Sequence, residues 1–177
     1  MSAVLMLVIG LPLVGLTWSR FQDQDERVVN ATFDFRVAEV IEAIEGRMRD
    51  HADILLGGVG LFNASALVER DEWHSYIESL QLRDHYPGIL GVGYAQAIKP
   101  ADLRSHIAAV RAEGYPSYTV SPPGARDLYT SILYLEPFSG RNLAAFGYDM
   151  FSEPTRHQAM LMAAETAKPA VSGRVTL

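Results

Sequence analysis

The sequence predicts an α+β domain carried on a long N-terminal helix. Three observations point there. A charge-free apolar run opens the chain, and a proline-free stretch with helical periodicity follows over residues 22–63. Beyond Ser65, short helices and short strands alternate between turn signals. Strands joined through turns, without long crossovers, favour an antiparallel sheet. A chain of 177 residues, 49% of them hydrophobic, holds enough apolar material for a sizeable core, which excludes global disorder.

The first element is residues 1–19. Ser2 to Trp18 contains no charged residue, and seventeen residues is about the shortest helix that spans a bilayer's hydrocarbon. Trp18 suits a membrane interface, with Arg20 and the acidic run QDQDER beyond it. The expectation is a transmembrane signal-anchor helix. A cleaved signal peptide is the competing reading, but neither a basic leader nor an A-x-A site is present. A buried soluble helix is the third.

Residues 20–63 read as a helical stalk. Apolar or small residues recur in steps of three and four at Val37, Ile41, Ile44, Met48, His51, Leu55, Val59 and Phe62. The opposite face carries Glu39, Glu42, Glu45, Arg47, Arg49 and Asp50, with Glu45 and Arg49 a favourable i,i+4 pair. Such a stripe serves a two-stranded coiled coil or a helix packed on a domain, and a homodimer through the stalk is expected. The cluster Gly57-Gly58-x-Gly60 should weaken the helix near its end.

Residues 64–177 make up the remaining domain. The spacing predicts a helix over about 71–82 and a strand over 89–98. A helix opened by Pro100 then runs to Gly114. Strands follow at 118–120, 128–135, 143–148 and 171–177, with Ser121-Pro122-Pro123-Gly124 a turn and Glu136-Pro137 a strand terminator. Ser152 is the expected N-cap of a helix ending near Lys168-Pro169. The last strand meets no terminating signal, so the domain reads as C-terminally truncated.

Composition narrows the chemistry. A formal charge of −6 without any basic run argues against nucleic acid, and the absence of cysteine removes disulfides and thiolate chemistry. No two of His51, His74, His85, His106 and His157 stand at metal-binding spacing, so no metal site and no cofactor is expected. Gly88-x-x-Gly91-x-Gly93 lacks the spacing of a nucleotide loop and falls inside a strand, where it marks close backbone approach.

Asp149 is the foremost candidate for ligand contact. It ends an apolar strand just before a helix, where a carboxylate can accept hydrogen bonds from a ligand's N–H groups. Capping of the following helix is the competing role. Arg156, one turn into that helix, suits an anionic ligand or a pair with Glu153. Tyr94, Tyr129 and Tyr148 offer aromatic walls with a hydroxyl, or plain core packing. No residue is nominated as catalytic.

The segments Tyr86-Pro87-Gly88-Ile89-Leu90-Gly91-Val92-Gly93-Tyr94 and YLEPFSGRNLAAFGYDMFSEPTRHQAMLMAAETAKPAVSGRVTL, in this order behind an apolar N-terminus, resemble the CHASE family. The resemblance covers about residues 55–177. It implies a PAS-like sheet hung on a long helix, and an extracytoplasmic small-molecule sensor at the inner or plasma membrane. The receptor would be of the histidine kinase or diguanylate cyclase type, with the cytoplasmic catalytic module outside this non-enzymatic region. It also implies that Asp149, which matches the aspartate contacting the purine ring in cytokinin receptors, binds the ligand, and that Val171 lines the same pocket. Two alternatives stand beside it. One is a membrane-anchored hydrolase around Glu136, Asp149 and His157, and the other is a structural dimerisation module.

Overall fold

The computed structural model describes residues 2–175, with side chains from residue 30 onward. It divides into two units, Met1–Ala52 and Asp53–Leu177. The element order is α1 (Ser2–Ala64), α2 (Arg70–Ser79), α3 (Leu82–His85), β1 (Val92–Ile98), α4 (Leu103–Ala112), β2 (Tyr129–Glu136) and α5 (Pro154–Thr166).

The first unit is helical throughout its described part. No residue from 30 to 50 is buried, because every turn carries charge beside its apolar positions. Arg36 pairs with Glu39 at 2.9 Å and Arg49 with Glu45 at 3.9 Å, both on the exposed surface. The membrane-spanning helix expected over residues 1–19 is not supported. Among the described residues no helix is long and apolar enough to cross a membrane, and the side chains of 1–19 lie outside them.

In the second unit the glycines near the end of α1 work differently from the sequence expectation. The helix runs through them to Ala64. Gly58 faces the Trp73 ring, where an added Cβ would stand 3.6 Å from it, and Tyr76 donates to the Ile54 carbonyl at 3.3 Å. The missing side chains let two rings of α2 lie against the helix. Around them Ile54, Val68, Trp73, Ile77 and Val92 form one buried cluster. A second is formed by Ile98, Val110, Tyr118, Val120, Tyr129 and Leu133.

The sheet contradicts the expected PAS-like architecture. It has two strands among the described residues, β1 antiparallel to β2, against the five strands read from the sequence. Residues 140–145 form a 3-10 turn, and 118–120 and 171–175 are not strands. Apolar content alone does not make a strand; an adjacent backbone with free hydrogen-bonding groups is required. Near Tyr148 that requirement is met only briefly. Gly147 N donates to Ile132 O at 2.9 Å, Ile132 N to Tyr148 O at 3.0 Å, and Ser121 N to Gly147 O at 2.9 Å. Gly147 sits at φ +85, with the Thr119 carbonyl filling the space a side chain would need.

An irregularity between Tyr94 and Ala95 of β1 leaves Leu133 of β2 without a partner in the register. The extra residue lets Leu133 and the following Tyr134 both pack towards the buried clusters. Arg70 serves this point: it donates to the Leu133 carbonyl at 2.7 Å and to Glu113 at 3.0 Å, beneath the rings of Tyr115 and Tyr134. Tyr94 and Tyr134, opposite each other across the strands, join both clusters. One sheet face is thereby covered, and the other carries Gly91, Gly93, Ala95, Ile132 and Leu135.

Candidate functional site

The open sheet face is the floor of a cleft of about 640 Å³. Its small residues are required by the backbone. A Cβ on Gly93 would stand 2.9 Å from Tyr134 O, and one on Gly91 would stand 3.1 Å from Glu136 O. This agrees with close approach inside a strand as the reason for those glycines. The roof is α5, which presents Arg156, Ala159, Met160 and Ala163 at i, i+3, i+4 and i+7. One side is closed by Arg141, Asn142 and Ala145, the other by Ala170, Ser172, Gly173 and Val175. Asn142 donates to Leu90 O and Pro137 O, both at 3.1 Å, tying that wall to the strand ends.

What holds α5 over the sheet is the corner around Asp149. The residue is 0% exposed. Its Oδ1 accepts from Thr130 N at 2.8 Å, Thr130 Oγ1 at 3.2 Å and Phe151 N at 3.1 Å. Arg126 Nε lies 3.2 Å from Oδ2, an ion-pair distance without hydrogen-bond alignment. The Asp149 amide donates to Ser121 O at 2.6 Å. A buried carboxylate with these partners ties the start of β2 to the start of the turn 150–152. Of these partners only Phe151 N is a local backbone cap, that of the 3-10 turn 150–152, whereas Thr130 and Arg126 are distant in sequence.

The cap of α5 itself differs from expectation. Glu153, not Ser152, is the N-cap, accepting from Thr155 N at 3.1 Å and Arg156 N at 2.8 Å. Those backbone donors hold its carboxyl below the usual carboxylate range. Ser152 Oγ instead donates to Asp149 O at 2.6 Å.

Of the six residues singled out from the sequence, Arg156 is the one that lines the cleft. Its guanidinium lies 5.3 Å from the centre of the Tyr148 ring, and Nη1 donates to Met150 Sδ at 3.4 Å. Tyr148 is thus placed behind the cleft wall. Tyr94 stacks on Phe62 at 4.1 Å on the covered sheet face, and its hydroxyl is pushed to a higher pKa by burial. Tyr129 is buried in the second cluster, its hydroxyl donating to Gly124 O at 2.9 Å. Val171 is 73% exposed beside the wall residues Ala170 and Ser172. Sequence reasoning missed the α5 face. The i, i+3, i+4, i+7 spacing was available, but Arg-Ala-Met-Ala has too little apolar contrast to stand out.

The proposed hydrolytic constellation does not assemble. Glu136 Oε1 pairs with His74 Nδ1 at 3.0 Å, His157 stacks on Phe151 at 4.1 Å, and Asp149 is enclosed as described. No hydrogen bond or ion pair links the three among the described residues.

The family model described as CHASE domain matches residues 66–177, more than half the chain. The chain belongs to the CHASE domain family. A search of the curated proteins found no match to it. The matched CHASE region includes every wall of the cleft, the Asp149 corner and the whole sheet, and leaves out all of α1. CHASE domains are extracytoplasmic sensory domains of membrane receptors, not catalytic ones.

Proposed function

We propose that this CHASE domain binds a small molecule in the cleft between the β1–β2 sheet and α5, as the extracytoplasmic input of a signalling receptor with kinase or cyclase output. The observation that carries the reading is the cleft itself. Volumes of about 300–1,000 Å³ with mainly apolar walls and a few polar groups are typical of ligand sites. A cleft of about 640 Å³ lined by Ile132, Leu135, Met150 and Met160, with Arg156 and Arg141 on its walls, matches that description. Its roof also suits a sensor. Helix α5 is fastened through the Asp149 corner and the Glu153 cap, so a ligand that draws it towards the sheet can bias two arrangements.

In this proposal Arg156 contacts the ligand. Asp149 and Tyr148 hold the corner and the arginine in place, and Tyr94 and Tyr129 brace the sheet from its covered side. Val171 sits on the segment that closes the cleft. A homodimer through the exposed stripe of α1 would transmit the bias. The test is thermal shift of the full chain against a chemically diverse small-molecule set, comparing wild type with Ala163→Trp, which fills the cleft from a half-buried helix position. A compound that raises the wild-type midpoint and leaves the variant unmoved supports the reading. A wild type silent to the whole set, or a shift that survives Ala163→Trp unchanged, refutes it.

A further inference from the structure

The lining of the cleft is uneven in charge. Arg141 and Arg156 contribute to it and no Asp or Glu does, although the chain carries 21 acidic residues against 15 basic ones. Among the described residues no carboxylate pairs with either guanidinium. Glu153, the nearest acid in sequence to Arg156, has both oxygens on backbone N–H groups and attracts the guanidinium through space without an ion-pair contact.

The partners Arg156 does have are soft. A thioether sulfur is a weak acceptor, and the face of Tyr148 takes no directed N–H bond. A guanidinium has five N–H donors in a planar fork matched to a carboxylate, so most of this fork is open for use. The ring and the sulfur hold the group in place without neutralising it. Beyond the arginines, Asn142 and Ser172 are the polar side chains of the lining, Asn142 being engaged by Leu90 O and Pro137 O, and Ala95, Ile132, Leu135, Met150, Met160 and Ala163 present methyl, methylene and thioether groups.

We infer that the ligand of this cleft is an amphipathic monoanion, an apolar monocarboxylate, with its charge on Arg156 and Arg141 and its hydrocarbon along Ile132, Leu135 and Met160. The inference rests on the cleft being the ligand site. It selects a class within that reading: a cationic amine would meet two like charges, and a neutral amide would leave the arginine fork without its ionic partner.

Octanoate, octanamide and octylamine share a body and differ in head charge. Isothermal titration of each into the full chain held in amphipol, with empty amphipol as blank, reads the selectivity directly. Octanoate should bind at least about tenfold more tightly than octanamide, and octylamine should give no heat above the blank. Arg156→Gln should abolish the preference for octanoate over octanamide, while Arg156→Lys keeps part of it. Arg141→Gln, at an exposed side chain, provides the same comparison if the Arg156 variants do not fold. Equal affinity for octanoate and octanamide would overturn the inference and leave a ligand cleft without anion selection. Octanoate binding unchanged in both glutamine variants would overturn it as well, as association elsewhere. No heat from any of the three also overturns it, and the sensor reading is then decided separately by the diverse screen against Ala163→Trp.

Discussion

Asp149 concentrates many constraints at one point of the domain. Its carboxylate closes bonds to Thr130 and Phe151, faces Arg126, and is fully enclosed. Removing it leaves Arg126 without its ion-pair partner and breaks the bond from Thr130 N, while Phe151 N keeps Thr130 Oγ1 as an acceptor. Asp149→Ala should therefore cost about 3 kcal/mol in urea denaturation, in the range seen when one partner of a buried pair is deleted. A loss under about 1 kcal/mol would mean the corner is held by its backbone bonds alone. Two histidines act with opposite sign. His106 is half-buried, with Nε2 2.8 Å from the Tyr118 hydroxyl, and burial lowers its pKa below 6.5. The unfolded chain then takes up the proton more readily, so stability held above pH 6.5 is lost as pH falls through the folded value. His74 has its pKa raised by its hydrogen bond to Glu136, so its contribution is complete below 6.5 and lost as pH rises through the folded value. Denaturation midpoints across pH should lose the acid-side decline in His106→Gln and the opposite limb in His74→Gln. Unchanged profiles in both variants would remove these groups from the account.

At the scale of the elements, the glycines of β1 and α1 separate close approach from simple flexibility. Gly93→Ala would drive a Cβ to 2.9 Å from the Tyr134 carbonyl and should destabilise by about 1–3 kcal/mol. Gly60→Ala, in α1 with open space around it, should stabilise by about 0.5–1 kcal/mol. Thermal denaturation of both checks the contrast; equal effects would show that backbone freedom, not contact, governs these sites. Local pattern was a good guide wherever an element's hydrogen bonds are its own or its neighbour's in sequence. That is why α2, α4, β1, β2 and α5 were legible from periodicity, Pro100 and the Glu136-Pro137 stop. It failed where distant backbone decides. The stretch 143–148 has strand-like residues, yet it turns to reach Ser121 and Ile132 together. At the candidate site, Arg156 was named from the sequence and lines the cleft, while the glycines were read there as close backbone approach and not as a cleft floor. Asp149 was singled out from its place at a strand end, but its enclosure depends on Thr130 and Arg126, which no local motif joins to it.

For the whole molecule, the energetic question is what the stretch of α1 before residue 53 packs against. An isolated helix gains little from propensity alone, and most helical stability in proteins comes from burying an amphipathic face. Within the described part of the first unit no such burial occurs: Phe33 and Phe35 are 65% and 68% exposed, and Ile41 and Ile44 are 50% and 57% exposed. Ile41 and Ile44 belong to the stripe Val37, Ile41, Ile44 and Met48, whose alternating steps of four and three are those of a coiled-coil seam, and the flanking charges already pair along the same helix, as Arg36 with Glu39. A second copy of the chain, offering the same stripe, would cover this face with matching chemistry on both sides. Replacing Ile41 or Ile44 by Lys puts like charges opposite each other in such a pair. Sedimentation velocity should then show the wild type as a dimer and either variant shifted to monomer at the same concentration. The fold of the second unit should be untouched, since Asp53–Leu177 keeps its own clusters. A monomeric wild type, or a dimer indifferent to both lysines, would place the function of this face elsewhere.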